Sequence, residues 1–221
     1  IVPYVRGREV SRNKTDILNE CKQILSCGKY KQITLLGQNV NSYCNPVDNS
    51  NFADLLKSIC ELDGDFKLTF MTSHPKDISD EVIDILANEP KILKELHLPV
   101  QSGSTKILKA MNRKYTREHY ISIVDKLKSK IPNIRLTTDI IVGFPGETEE
   151  DFEDTCSLVK YVKYDGIFAF MFSKRSGTIA EKMPDQIPDE VKNFRVNKIL
   201  QLEKEIQKEK GIKDDNKNTK E

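Results

Sequence analysis

Apolar positions along the 221-residue chain recur at two periods, and the two alternate. From Asp16 to Cys27 (DILNECKQILSC) the residues Ile17, Cys21, Ile24 and Leu25 fall at helical spacing, and Gly28 follows as a stop. Gln32–Leu36 reads as a short strand ending at Gly37, Phe52–Leu62 as a helix and Phe66–Met71 as a strand. Ser79 opens a helix through Leu86, with Asp80 and Glu81 in the first turn, where the helix dipole favours anions. Leu96–Val100 is strand-like; Thr105–Met111 and Thr116–Lys130 are helical, with Thr116 as an N-cap. Ile134–Val142 is an apolar strand, Glu149–Val162 a helix, Gly166–Phe172 a strand, and Asp189–Lys208 an amphipathic helix. The polar stretch Gly211–Glu221 holds too few hydrophobes to pack and is expected to be disordered. Residues 1–210 therefore read as one core domain and 211–221 as a tail.

Strands alternating with helices predict parallel βαβ units with the helices outside. Five strands are too few for a closed eight-stranded barrel, so an open, curved partial barrel and a doubly wound sheet both fit the periodicity. Either architecture places functional groups just past the C-terminal ends of the strands.

Composition narrows the function classes. With 35 Lys+Arg against 34 Asp+Glu, the net charge of +1 excludes a broadly basic nucleic-acid binder, though not a local basic patch. Charge-free runs such as Gly166–Ser173 are far shorter than the ~18–20 residues of a membrane span, and no basic-then-apolar leader pattern opens the chain. No membrane partner is expected. Cys21, Cys27, Cys44, Cys60 and Cys156 are an odd, scattered set that reads as reduced thiols, which suits a cytoplasmic protein. Metal-ligand spacing, a G-x-S-x-G nucleophile elbow, a P-loop and a G-x-G-x-x-G fingerprint are all missing.

The chemistry-bearing residues fall at the predicted strand ends. They are Gly37-Gln38-Asn39-Val40-Asn41, Thr72-Ser73-His74-Pro75, Leu96 to Ser104 (LHLPVQSGS), Asp139 to Thr148 (DIIVGFPGET) and Phe172 to Thr178 (FSKRSGT). Each pairs amide or hydroxyl side chains with Gly or Pro, so backbone can approach a ligand while donors and acceptors orient it. Five such clusters at corresponding positions suggest a site for a polar small molecule. His97, flanked by Leu96 and Leu98 within a strand, reads as structural, whereas His74, at a strand end, suits a pocket.

These residues carry a resemblance. Val2-Pro3-Tyr4, Arg6 to Glu9, Ser11-Arg12, the strand-end clusters above, and Met111-Asn112-Arg113 with Tyr115-Thr116 resemble the central domain of the radical-SAM methylthiotransferases. The match runs from about Ile1 to Glu205 and is strongest to the branch that modifies tRNA, the tRNA-2-methylthio-N6-dimethylallyladenosine synthases; Gln38-Asn39 and Ser73-His74 separate it from the branch acting on a ribosomal protein. The resemblance implies an α/β fold, an open partial (β/α)6 TIM-like barrel of the radical-SAM type. It also implies S-adenosylmethionine (SAM) on a 4Fe–4S cluster, cleavage to a 5′-deoxyadenosyl radical, and methylthio insertion at C2 of an N6-prenylated adenosine next to the tRNA anticodon. A second cluster would help supply sulfur, and a flavodoxin or ferredoxin would supply electrons to a monomeric enzyme. Two alternatives stay open: a non-catalytic fragment that binds SAM or a nucleoside, and a methylthiotransferase acting on threonylcarbamoyl-adenosine in tRNA.

By the resemblance, Gly37, Gln38 and Asn39 stand where the methionyl amine is met, and Gln101 and Ser102 near the ribose and carboxylate. Gly143 with Phe144 to Glu147 flanks the adenine, Asp139 and Arg175 face the same mouth with Arg175 suited to the carboxylate, and Ser73 and His74 complete the cofactor set. Arg6, Arg8 and Arg12 would contact tRNA phosphate. In relatives the last cysteine of a CxxxCxxC loop stands just before the position of Ile1, so the first barrel strand, the cluster loop and the TRAM domain that grips tRNA are all expected to be missing. No metal ligand is then expected here, and a chain in this form is expected to be inactive.

Overall fold

The computed structural model describes residues 7, 9–71 and 73–211. Arg6, Arg8 and the tail from 212, on which expectations were placed, lie outside the described residues. The chain divides into two compact units, residues 1–99 with 122–136, and residues 100–121 with 137–221.

In the first unit, helix α1 (Lys14–Ser26) begins two residues earlier than its apolar spacing suggests. The cause is Asn13, whose side chain accepts the Thr15 amide at 2.8 Å and caps the first turn. Strands β1 (Gln32–Leu35) and β2 (Lys67–Phe70) pair in parallel with Ile33 opposite Leu68 and Leu35 opposite Phe70. Helix α2 (Phe52–Cys60) starts with a reciprocal capping box between Asn51 and Asp54, and buries Phe52 edge-on against Phe70 at 5.1 Å. Helix α3 (Asp80–Asn88) is capped by Ser79 as expected.

Two lysines close the other ends. The Lys91 ammonium donates to the carbonyls of Cys60, the last residue of α2, and of Leu62 just past it, and that of Lys94 to Leu86 and Glu89 at the end of α3. Each places a cation where the helix dipole is negative and carbonyls lack partners. Strand β3 (Glu95–His97) stops short of the expected Val100. Pro99 has no amide to give to a ladder, and Gln101 sits at φ +72°, outside the extended region.

Helix α4 (Thr105–Ala110) belongs to the second unit, and α5 (Arg117–Lys130) carries the chain back into the first, where Lys126 pairs with Asp80 and Lys130 with Asp84. Strand β4 (Arg135–Val142) begins there, with the Arg135 amide on the Lys94 carbonyl at 2.9 Å. In the second unit β4 pairs in parallel with β5 (Gly166–Met171), from Thr137 opposite Gly166 to Val142 opposite Met171. Helix α6 (Glu149–Val162) and the long α7 (Asp189–Glu209) pack with β5 around Val159, Ile167, Ile199 and Leu202. The buried Tyr164 hydroxyl donates to that of Tyr120 at 2.9 Å. Two 3₁₀ turns, Val40–Ser42 and Ile179–Lys182, escaped the periodicity argument because they are too short to show a period. No described helix is long and apolar enough to cross a membrane.

Asp151 joins three elements of the second unit. Its carboxylate takes the Lys106 ammonium at 2.6 Å, the Ser104 hydroxyl at 2.7 Å and the Thr148 amide at 2.9 Å. Burial acts against the charged form, but these donors outweigh it and hold the carboxyl at about 2. A group lowered on folding stabilises fully above its unfolded value, 3.8, and loses that contribution as pH falls from there to about 2. Asp151→Asn is expected to lower stability at pH 7 by about 2 kcal/mol and to flatten the acid limb of the urea-midpoint profile in that window.

Candidate functional site

In the first unit, a cleft of about 1070 Å³ is lined by Gly37, Gln38 and Asn39 of the segment after β1 together with Ile17, Cys21 and Ile33. The strap before α1 is stapled to the loop after β1 by side chains rather than by a ladder. Ser42 donates to the Glu9 carboxylate at 3.0 Å, Tyr43 to the Arg12 carbonyl at 3.0 Å, and the Cys44 amide to the Ser11 hydroxyl at 3.1 Å. Arg12 also lines the cleft, and its guanidinium pairs with Glu20 at 2.7 Å where both side chains are more than half exposed. Such a pair is weak and leaves Arg12 able to exchange partners.

Polar groups without partners gather at the ends of β1 and β2. Among the described residues eight buried side-chain polar atoms lack a hydrogen bond, and four of them belong to Asn39, Asn41 and Ser73. The Asn39 amide nitrogen donates to Asp77 Oδ2 at 2.7 Å, which fixes the amide's orientation and leaves Oδ1 as the unpaired acceptor. Ser73 is 3% exposed with its hydroxyl unpaired. His74 Nδ1 accepts the Lys76 amide at 3.2 Å and lies 3.8 Å from Asp77 Oδ2. A nitrogen accepting an N–H carries no proton, so the Asp77 approach is not an ion pair in this arrangement. Buried unpaired groups of this density mark a place where a ligand or water completes the bonding.

In the second unit, Gln101 is buried and tied into β4 by its backbone, its amide on the Asp139 carbonyl and its carbonyl on the Ile141 amide, both at 2.9 Å. Ser102 is fully buried, with its hydroxyl accepting the Ser104 amide at 3.2 Å and meeting Thr155 Oγ1 at 3.4 Å. Asp139 is half-buried on β4. Gly143 adopts φ +71°, and its amide donates to Glu147 Oε2 at 2.6 Å. Glu147 is held in turn by Arg195 at 2.7 Å, with the two side chains 1% and 5% exposed. Burial pushes the Glu147 carboxyl up, against the Gly143 amide and the Arg195 charge. Arg175 is exposed, and its carbonyl accepts the Thr178 amide and hydroxyl while its guanidinium pairs with no described residue. Sequence reasoning missed Asp77, Lys192 and Arg195. The last two sit on a helix whose other residues read as an ordinary amphipathic face, although charges at buried register positions were a signal.

Parallel strands joined through helices define an α/β protein, and comparison narrows the class. The Radical SAM superfamily matches residues 1–159, and the chain belongs to that superfamily. It is 55% identical over 207 residues to a tRNA-2-methylthio-N(6)-dimethylallyladenosine synthase of Carboxydothermus hydrogenoformans, covering 93% of this chain and 47% of that protein. A protein of the same name from Clostridium botulinum (strain Langeland) is 54% identical, covering 96% of this chain and 47% of its own length. The chain thus spans about half the length of these relatives. Among solved structures, coproporphyrinogen III oxidase from Escherichia coli, a radical SAM enzyme, superposes with a TM-score of 0.59 at 18% identity over 92% of this chain and 48% of that one. Methylornithine synthase gives 0.55 at 16% identity, covering 88% and 56%. The fold is the partial TIM-like arrangement of that class, which decides between the two architectures the periodicity allowed.

Two glycines test the loop geometry. A Cβ on Gly103 would lie 2.4 Å from the Thr155 Cα and 2.6 Å from the Asp154 carbonyl, both backbone atoms that cannot yield separately. Gly103→Ala is expected to cost about 3 kcal/mol in urea denaturation. Gly143→Ala, strained by its positive φ and crowded by Lys192, is expected to cost about 2 kcal/mol.

Proposed function

We propose that this chain is the radical-SAM core of a methylthiotransferase that inserts a methylthio group at C2 of an N6-prenylated adenosine next to the tRNA anticodon. The supporting observation is the 54–55% identity over 93–96% of the chain to proteins named for that modification. The partners of this reading are tRNA, SAM and a flavodoxin- or ferredoxin-type electron donor, and the protein works as a monomer in the cytoplasm.

The residues at the strand ends suit SAM, since the unpaired Asn39 and Ser73 oxygens are buried acceptors that a polar ligand would complete. When bound, SAM supplies the radical chemistry of the superfamily. Gly37, Gln38 and Asn39 orient the methionyl amine, for which the Asn39 carbonyl oxygen is an acceptor, with Ser73 and His74 beside them. The Gly143–Glu147 backbone flanks the adenine and Gln101 serves the ribose side, with Ser102, whose hydroxyl is taken by Ser104 and Thr155, supporting that loop from within. The Arg175 guanidinium, unpaired among the described residues, suits the methionyl carboxylate, and Asp139, midway along β4, offers a carboxylate acceptor. Arg12, with Arg6 and Arg8, meets tRNA phosphate.

The cysteines do not fit an iron–sulfur cluster. Among the described residues no three His, Cys, Asp or Glu side chains gather to hold a metal. Burial pushes the Cys60 and Cys156 thiols up to about 11, away from the thiolate form a cluster needs.

Calorimetric titration of the chain with SAM is expected to show saturable one-site binding that Asn39→Ala weakens about ten-fold, and absence of binding would overturn the cofactor assignment. Disrupting the gene should remove 2-methylthio-N6-prenyladenosine from cellular tRNA, read by nucleoside mass spectrometry. Loss of a methylthiolated threonylcarbamoyl-adenosine instead would reassign the substrate, and an unchanged profile would refute the function.

A further inference from the structure

We infer that Arg195 is a positioning residue: through Glu147 it holds the loop after β4, Gly143–Glu147, in the shape that receives the ligand's nucleoside end. This rests on the reading above, in which that loop flanks the adenine of SAM. One guanidinium nitrogen, Nη1, grips both the carboxylate of Glu147 at 2.7 Å and that residue's own carbonyl at 3.2 Å. The same carboxylate oxygen takes the Gly143 amide at 2.6 Å. The two ends of the turn are thus joined across one oxygen. Nη2 reaches Glu149 at 3.1 Å, and the guanidinium lies 5.2 Å from the Phe152 ring centre, so Arg195 has no freedom to drift.

Lys192, one helical turn earlier, adds a steric stop. Its stem lies so close over Gly143 that a Cβ there would be 2.3 Å from Lys192 Cγ, while its ammonium stays with Asp189 at 3.0 Å. A pair kept only for stability would satisfy its own atoms first. Here Glu147 Oε1 and Arg195 Nε are buried without partners, and the bonds made are those that fix loop backbone. Breaking such a pair by one substitution strands a buried charge, so stability and positioning must be separated by neutralising both partners together.

The decisive variant is the double substitution Glu147→Gln with Arg195→Met, and Arg195→Lys, which keeps the charge and loses the fork, is its companion. With folding checked by circular dichroism and thermal melting, hydrogen exchange at the Gly143 amide is measured by NMR alongside affinity for SAM and for 5′-methylthioadenosine, which shares the adenosine and lacks the amino-acid end. A folded double variant is expected to exchange the Gly143 amide about ten-fold faster while core amides of α6 are unchanged. Both nucleosides should bind about ten-fold more weakly, with Arg195→Lys intermediate. Wild-type exchange and affinities in a folded double variant would overturn the inference. If the double variant does not fold, Arg195→Lys decides by the same readouts. If the wild-type chain binds neither nucleoside, the proposed cofactor reading fails, and the Gly143 exchange rate alone decides whether Arg195 positions the loop.

Discussion

A carboxylate that is 1% exposed cannot stay charged without close donors, and among the described residues the Gly143 amide and the Arg195 guanidinium supply them to Glu147. That demand organises the second unit. It draws α7 onto the loop after β4, which in turn fixes where α6 starts, because Thr148 caps that helix immediately after Glu147. Asp151, three residues on, closes the capping box and binds Lys106 and Ser104, so one short stretch of chain ties α4, α6 and α7 to the end of a strand. The arrangement is asymmetric in energy. A buried pair of this kind adds little over an apolar substitute, but either half alone is strongly unfavourable.

The first unit solves a similar problem with different parts. Its helices α2 and α3 end against the Lys91 and Lys94 ammonium groups, which donate to carbonyls that would otherwise face apolar packing. Its strap and its strand-end loop are joined by three hydroxyls and an amide rather than by a sheet ladder. What remains unsatisfied is concentrated at Asn39, Asn41 and Ser73. Apart from the Ser50 hydroxyl, the unsatisfied buried groups described in this unit lie past the strand ends, where a polar ligand would find donors and acceptors still to be met.

Helix and strand placement was legible in the residues because the apolar period is a local property. Glu149–Val162 and Arg117–Lys130 follow the 3.6-residue spacing closely, and Ser79 and Gly28 mark ends by their own backbone preferences. The strand-end clusters were legible for the same reason: glycine and proline beside amides announce a loop that approaches something. Where the reading strayed, single residues overrode the period: β3 ended early because Pro99 has no amide to give to a ladder and Gln101 leaves the extended region at φ +72°.

The sequence by itself determined the alternation of elements, the parallel class, the strand-end positions of the polar residues and the resemblance to the radical-SAM methylthiotransferases. Tertiary structure decided which polar residues still have bonds to make. Ser102 and Ser73 are both serines after strands, yet Ser102 is bonded to Ser104 and Thr155 while the Ser73 hydroxyl is buried and alone. Arg195, forty-eight residues from its partner, was just one cation on an amphipathic helix until folding placed it against Glu147. Hydrogen-bond satisfaction and desolvation depend on which groups meet, and that is set by chain closure over long separations, where local periodicity carries no information.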